Sequence, residues 1–99
     1  MFKNGMRAIH PGEILREDYL AELGMSANAL AKALKVPAPR INDVVRGRRG
    51  ISADTALRLA RYFDTTPQFW LNLQIAYDLR IAQAQSGRKI AREVARKAA

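Results

Sequence analysis

Apolar residues recur at steps of three and four through most of the chain, which is the spacing of helices that bury one face. Five such runs are separated by very short polar or proline-containing segments. Each run begins near a residue suited to a helix start: Pro11, Ser26, Pro37, Ser52 and Thr66. No stretch alternates like a strand for long. The pattern therefore predicts an all-α fold of five helices joined by short turns.

The first run places Leu15, Tyr19 and Leu23 at four-residue steps and ends at Gly24. Side chains four residues apart share one face of an α-helix, so these three are predicted to enter the core. Glycine tolerates the left-handed conformation in which helices commonly end, which makes Gly24 the predicted stop.

The second and third runs are short and are joined through LKVPAP, a tight turn of a few residues. Two short helices joined in this way match the helix-turn-helix motif, whose second helix enters the major groove of DNA. With Pro37 at the helix start, Ala38 and Pro39 take its first two positions, where a missing N–H costs nothing. Three apolar side chains of this helix are predicted to turn inward: Ile41, Val44 and Val45.

The outward side chains of these two helices and of the loop that follows are the ones that DNA would meet. Asn42 suits adenine, Asp43 suits the amino group of cytosine, and Ala38 suits the methyl group of thymine. Arginine suits guanine or phosphate. The candidate DNA-binding residues are Ser26, Asn28, Ala38, Pro39, Arg40, Asn42, Asp43, Arg46, Arg48 and Arg49. The alternative is the solvated basic face of a small helical bundle.

The last run, which starts at Pro67, carries two apolar stripes. One stripe consists of Phe69, Trp70, Leu73, Tyr77 and Ile81. The second consists of Leu71, Ile75, Leu79 and Ala82. A helix in so small a domain needs one buried stripe, so the second predicts a partner helix, and a twofold dimer is the commonest solution. The alternative is that the other four helices cover both stripes.

Charge is concentrated at the C-terminal end of the chain. The 99 residues carry a net charge of +8, which favours an anionic partner such as nucleic acid. Residues 86–99 hold five basic residues against one acidic residue and so carry half of that excess. This segment opens with Ser86 and Gly87, which are expected to break the helix. We therefore predict an N-terminal arm over 1–10, a domain over 11–83 and a mobile basic tail over 84–99.

Catalytic chemistry finds no support in the composition. The chain has no cysteine, and its single histidine, His10, has no second ligand with which to hold a metal. Ser26, Ser52 and Ser86 lie in cap or linker contexts, and there is no glycine-rich phosphate loop. No catalytic residue, metal or cofactor is expected. The absence of a signal peptide and of an apolar run of about 20 residues predicts a cytoplasmic protein without a membrane span.

Several segments resemble one known family in order and spacing: HPGEILRE, LGMS, ALAKALKVP, GRRGISADTALRLARYF and FWLNLQIAYDL. The span from His10 to Ile81 resembles the XRE-type helix-turn-helix proteins with a lambda-repressor-like fold. It is most similar to the HigA-type antitoxins, also named virulence-associated protein I. The resemblance implies a homodimer that binds operator DNA, represses its own operon and neutralises a HigB-type toxin that cleaves mRNA on the ribosome. The alternative is a stand-alone XRE-family regulator without a toxin partner.

The start of the third helix departs from the family pattern. Family members often carry polar residues there, whereas this chain has Pro37, Ala38 and Pro39, so no operator sequence can be carried over. A toxin that acts on mRNA is expected to be basic, and only a local acidic surface would attract it to a +8 protein. The first helix offers Glu13 and Glu17, four residues apart and predicted to point away from the core.

Overall fold

The computed structural model describes residues 7–98, which form five helices and contain no strand. Helix α1 consists of Pro11–Ile14, a π-helical segment Leu15–Leu20 and Ala21–Leu23. The other helices are α2 (Ala27–Leu34), α3 (Ala38–Val45), α4 (Ala53–Phe63) and α5 (Pro67–Glu93). The all-α, five-helix prediction is confirmed. Residues 1–6 of the predicted arm and Ala99 of the predicted tail lie outside the described residues.

Side-chain caps fix most helix starts where the sequence places them. The hydroxyl oxygens of Ser26, Ser52 and Thr66 accept hydrogen bonds from backbone N–H groups three residues ahead, over 3.0–3.2 Å. Such caps satisfy amides that have no partner within the helix and are worth about 1 kcal/mol each. Gly24 ends α1 with φ of 60°, in the left-handed region, as predicted. The boundaries of the helices thus follow from local sequence.

The core lies among the first four helices, and α5 adds one fully buried side chain, Trp70. Its buried apolar side chains are Leu15, Leu20, Leu30, Ala31, Leu34, Ile41, Val44, Ile51, Ala56, Leu59, Ala60 and Trp70. Trp70 has no exposed surface, and its indole N–H donates to the hydroxyl oxygen of Thr65 over 2.8 Å. Burial of a side chain the size of leucine stabilises the fold by roughly 1.5–3 kcal/mol. The buried side chains that α2 and α3 contribute to this core therefore fix the positions of both helices in the bundle.

The second leucine that α1 buries is not the one that the sequence predicted. Leu20 is buried and Leu23 is 58% exposed, whereas the four-residue pattern had placed Leu23 in the core. The cause is the π-helical segment, in which the N–H of Ala21 bonds to the carbonyl of Arg16, five residues back. This wider turn rotates the buried face, so that Leu15 is followed by Leu20. The prediction for Leu23 was wrong.

Helix α5 continues through Ser86 and Gly87 to Glu93. The predicted helix break at this pair was wrong, because a single glycine within a helix costs only about 1 kcal/mol relative to alanine and alanine-rich helical sequence lies on both sides. Residues 88–98 are exposed, including Ile90 and Val94. The division of the chain at residue 84 and the mobility of the tail stay predictions.

Within residues 7–98, no helix combines the length and apolar character needed to cross a membrane. The same residues bring together no group of three His, Cys, Asp or Glu side chains able to hold a metal ion.

Candidate DNA-binding surface

Helices α2 and α3 are joined by a turn that begins at Lys35 and ends at Pro37. Lys35 adopts φ of 61°, and the N–H groups of Lys35 and Val36 bond to the carbonyls of Lys32 and Ala31. This pairing ends α2 as a Schellman motif does. Pro37 is the N-cap of α3, so the prolines lie where the sequence predicts them. Ile41 and Val44 are fully buried and orient the opposite side of α3 outward.

The outward side of α3 meets the start of α2 through a pair of asparagines. The amide nitrogen of Asn42 donates to the side-chain oxygen of Asn28 over 2.6 Å and to the carbonyl of Ala38 over 3.0 Å. Asn28 and Pro39 are exposed, and Asn42 and Ala38 are half-buried. The candidate residues of the two helices therefore share one continuous surface. Ser26 lies at its edge, where its hydroxyl oxygen caps α2.

Arg40 is held in place by a residue to which sequence analysis assigned no binding role. Its guanidinium donates to Asp54 over 2.6 Å, and Arg58 donates to the same carboxylate oxygen over 2.9 Å. The hydrogen bonds from Arg58 and Arg40 hold the pKa of the Asp54 carboxyl below its usual value. Asp54 thus orients Arg40 on the surface. Asp54 lies in the first turn of α4, and its contact with Arg40 spans 14 residues, so the local sequence pattern does not predict it.

The loop between α3 and α4 carries the remaining arginines. Asp43 and Arg49 form a long ion pair of 3.3 Å. Arg46 and Arg48 are exposed, and neither makes a side-chain hydrogen bond or ion pair with any residue of the described part of the chain. The two groups differ in availability: Arg46 and Arg48 present full charges to a phosphate, whereas Arg49 shares its charge with a carboxylate.

Helix α5 has one packed side and one exposed side. Ile75 is 60% exposed, Leu79 is 55% exposed, and Ala82 is also exposed. Leu71 is half-buried and packs against the core, so it contributes to both sides. Because the described bundle leaves Ile75 and Leu79 uncovered, the alternative in which the other four helices cover both stripes was wrong.

The two acidic side chains proposed for α1 lie in different environments. Both carboxylate oxygens of Glu13 accept hydrogen bonds from Arg7, over 2.8 and 2.6 Å, and the Glu13 side chain is only 29% exposed. The hydrogen bond from Arg7 lowers the pKa of Glu13. Glu17 is 61% exposed and pairs with its neighbour Arg16 over 2.9 Å. Arg7, from the chain before Pro11, therefore shares the charge of Glu13, and the toxin-binding role of Glu13 and Glu17 stays a prediction.

Comparison with known proteins identifies this arrangement of helices. A helix-turn-helix family model matches residues 15–70, which run from the first buried leucine of α1 to Trp70 in α5. The chain belongs to the helix-turn-helix family. Virulence-associated protein I of Dichelobacter nodosus is 65% identical over 81 residues, which are 82% of this chain and 75% of that protein.

Two solved structures of this family share the whole arrangement. One is described as Pseudomonas aeruginosa antitoxin HigA with higBA promoter; it is 58% identical, has a TM-score of 0.88 and overlaps 90% of this chain and 97% of its own. The other, antitoxin GraA in complex with its operator, is 57% identical with a TM-score of 0.90 over all of both chains. The predicted membership of the XRE-type family, in its HigA group, is confirmed. The family is a non-enzymatic DNA-binding class, as the sequence predicts.

Proposed function

We propose that this chain is a HigA-type antitoxin of the cytoplasm that binds operator DNA as a homodimer, represses its own operon and neutralises a HigB-type mRNA-cleaving toxin. The observation that carries the proposal is the surface formed by α2, α3 and the loop after α3. That surface joins an asparagine pair to four arginines, of which Arg46 and Arg48 have no carboxylate partner among the described residues. Relatives of the same fold are antitoxins described with their promoter or operator DNA.

DNA binding follows from the placement of α3. With Ile41 and Val44 buried, the first turn of α3 is left to approach base edges in the major groove. Pro39, in the first turn of α3, has no backbone N–H to donate to a phosphate. The phosphate contacts therefore come from Arg46 and Arg48, directly after the C-terminal end of α3. Such contacts fix the register of the protein on the duplex, and the base contacts of α3 then provide sequence selectivity.

Dimerisation uses the exposed stripe of α5. Ile75, Leu79 and Ala82 repeat at steps of four and three residues, which keeps them on one face of the helix. A second copy of the same stripe covers them in a twofold arrangement, in which each patch meets its own equivalent. Leu71 borders this interface from the core side.

Toxin capture is assigned to the acidic outer face of α1. Because both oxygens of Glu13 are bound by Arg7 and its side chain is mostly covered, the exposed acidic side chains of this face are Glu17, Asp18 and Glu22. A basic toxin is attracted by such a local surface even though the chain as a whole is basic. A second surface is the groove of 360 Å³ between α2 and α4, lined by Leu57, Tyr62 and Arg61 among others. Its arginines make it less suited to a basic partner.

The proposal is tested with the promoter of the chain's own operon and the protein encoded beside it. A dimer that touches about six phosphates binds the promoter with a log–log salt slope near −5. Its half-sites lie about one helical turn, roughly 10 base pairs, or a multiple of it, apart. Binding without salt dependence, or the same affinity for unrelated DNA, contradicts operator recognition. Operator binding without toxin co-purification leaves a stand-alone regulator.

A further inference from the structure

The arginine loop, residues 46–50 between α3 and α4, is anchored differently at its two ends. Its first part is held by the end of α3, because the N–H groups of Gly47 and Arg48 bond to the carbonyls of Val44 and Asp43 over 3.0 and 2.8 Å. Gly47 has φ of 74°, which favours glycine. Its second part, Arg49 and Gly50, lies beyond these bonds. Two side chains from distant parts of the sequence reach it there.

His10 lies beneath the loop. Its Nδ1 accepts the N–H of Gly12 over 2.9 Å, and its ring packs edge-on against Tyr77 of α5, with centroids 4.9 Å apart. A Cβ atom at Gly47 would lie 3.9 Å from Cγ of this ring. The backbone of Arg49 faces this ring as a hydrogen-bond acceptor. Since Nδ1 accepts from Gly12, Nε2 is the nitrogen left to donate toward the Arg49 carbonyl.

The histidine is suited to this role in its neutral form. Burial lowers the pKa of His10, while Asp78 on α5 and the hydrogen bond to Arg49 act in the opposite direction. A neutral ring can accept at one nitrogen and donate at the other, whereas a protonated ring can only donate. His10 thereby joins the start of α1, the loop and α5 through a single side chain.

Gln74 of α5 holds the other end of the loop. Its side-chain oxygen accepts the N–H of Ile51 over 2.7 Å, and its amide nitrogen donates to Asp78 over 2.9 Å. A Cβ atom at Gly50 would lie 3.1 Å from the Gln74 amide, so the close approach of the backbone depends on this glycine. Asp78 fixes the amide orientation of Gln74, and Gln74 fixes the point at which the loop enters α4.

We propose that His10 and Gln74 are positioning residues for DNA binding, which fix the backbone at Arg49 of the arginine loop and at Ile51 directly after it, without touching the DNA themselves. This inference rests on the DNA binding proposed above. Binding groups need support that holds them within about 0.5 Å of the productive geometry. The phosphate contact of Arg49, in the second part of the loop, therefore depends on two neutral side chains, one before α1 and one in α5.

Paired substitutions separate this role from general support of the fold. His10→Asn keeps an acceptor where Nδ1 caps α1 but loses the donor to Arg49. His10→Gln keeps a donor that reaches Arg49 but loses the cap. Gln74→Met removes the acceptor for the N–H of Ile51 at similar size.

The measurement is operator affinity by fluorescence anisotropy across a salt series, with a thermal melt of each variant as the control for folding. His10→Asn and Gln74→Met are expected to weaken binding about tenfold, the scale of one missing hydrogen bond. Their log–log salt slopes should become less steep by about one for each phosphate that an arginine no longer reaches, although no charge has been removed. His10→Gln is expected to bind within about threefold of the parent.

Amide hydrogen exchange of the free protein gives a readout that needs no DNA. The N–H of Ile51 should exchange faster in Gln74→Met than in the parent protein. If folded Gln74→Met and His10→Asn keep the parent's salt slope and the parent's exchange at Ile51, the inference is overturned. If Gln74→Met does not fold, Gln74→Ala takes its place. If the parent protein does not bind its promoter, operator binding fails, while the exchange rates still decide whether these side chains hold the loop.

Discussion

At the scale of single residues, the arginines of the proposed DNA surface differ in whether a carboxylate of the same chain binds them. Arg40 donates to Asp54 and Arg49 to Asp43, whereas Arg46 has no such partner among the described residues. A carboxylate beside an arginine orients the guanidinium and offsets part of its attraction for phosphate. The contribution of each arginine to DNA binding therefore depends on its neighbour as well as on its position.

Arg40→Ala, Arg46→Ala and Arg49→Ala are each expected to weaken operator binding, with the largest flattening of the salt slope for Arg46→Ala. Removing one arginine–phosphate interaction reduces the slope by about one. Gel-shift titrations at several salt concentrations measure both quantities. Arg61→Ala, which removes an exposed arginine from the groove between α2 and α4, is the matched control. An equal loss of binding in Arg61→Ala contradicts the assignment of the surface.

His10 gives stability a dependence on pH. Burial holds the pKa of His10 below its ordinary value of about 6.5, so the unfolded chain binds a proton that the folded chain resists. Above pH 6.5 the neutral ring makes its full contribution to the free energy of unfolding. This contribution is lost as the pH falls through the pKa of His10 in the folded chain. Tyr77 and Asp78 on α5 and the Arg49 backbone are the groups that face the ring.

We expect the urea midpoint of the parent protein to fall between pH 7.5 and pH 5.5, and that of His10→Asn to change less. His10 is the only histidine in the chain, so no other side chain ordinarily titrates in this range. Identical shifts in the two proteins would show that another group is responsible.

At the scale of elements, α5 presents different faces to the core and to solvent. Ile75→Asp combined with Leu79→Asp is expected to give a folded monomer, because both side chains are more than half exposed within one chain. Leu73→Asp is expected to lower the free energy of unfolding by about 2 kcal/mol or more, because Leu73 packs against the core. Light scattering and circular dichroism separate these outcomes. A double variant that stays dimeric places the interface elsewhere.

Local sequence predicted the elements that depend on neighbouring residues. The caps at Ser26, Ser52 and Thr66 were correct because each satisfies amides only three residues away. The burial of Leu20 in place of Leu23 was not predicted, since a π-helical segment changes a period that pattern analysis assumes to be constant.

The candidate site was predicted only in part. The surface of α2 and α3 follows from the turn between them and from the periodicity of α3. The contacts that hold its arginines do not, because Arg40 meets Asp54 across 14 residues and Ile51 meets Gln74 across 23. Such pairs depend on how the helices pack against one another, and the local sequence pattern does not predict that packing.

At the scale of the whole molecule, charge is divided among surfaces with different proposed partners. Basic residues follow the arginine loop and the end of α5, while exposed acidic residues gather on the outer face of α1. This division allows one small domain to approach a polyanion and a basic protein from different sides. It also means that reversing charge on one surface should leave the other intact.

Glu17→Lys combined with Glu22→Lys is expected to weaken toxin capture while operator affinity stays the same or rises slightly. Like charges placed against a basic partner are repelled, and the added lysines raise non-specific attraction to DNA. Co-purification with the toxin and a gel shift on the operator measure the two effects. Unchanged capture would move the toxin site to the groove beside Arg61, or to the arm before Pro11.

The burial of Trp70 has a practical consequence. It is the only tryptophan in the chain, it is sealed in the packing of α4 and α5, and its indole bonds to Thr65. Its emission is therefore an intrinsic optical reporter of whether the core has assembled. The ring lies inside a single chain, away from the exposed stripe of α5 and from the arginine loop. The intensity and colour of that emission should stay constant on dilution to monomer and on binding DNA, and should change only when the domain itself unfolds.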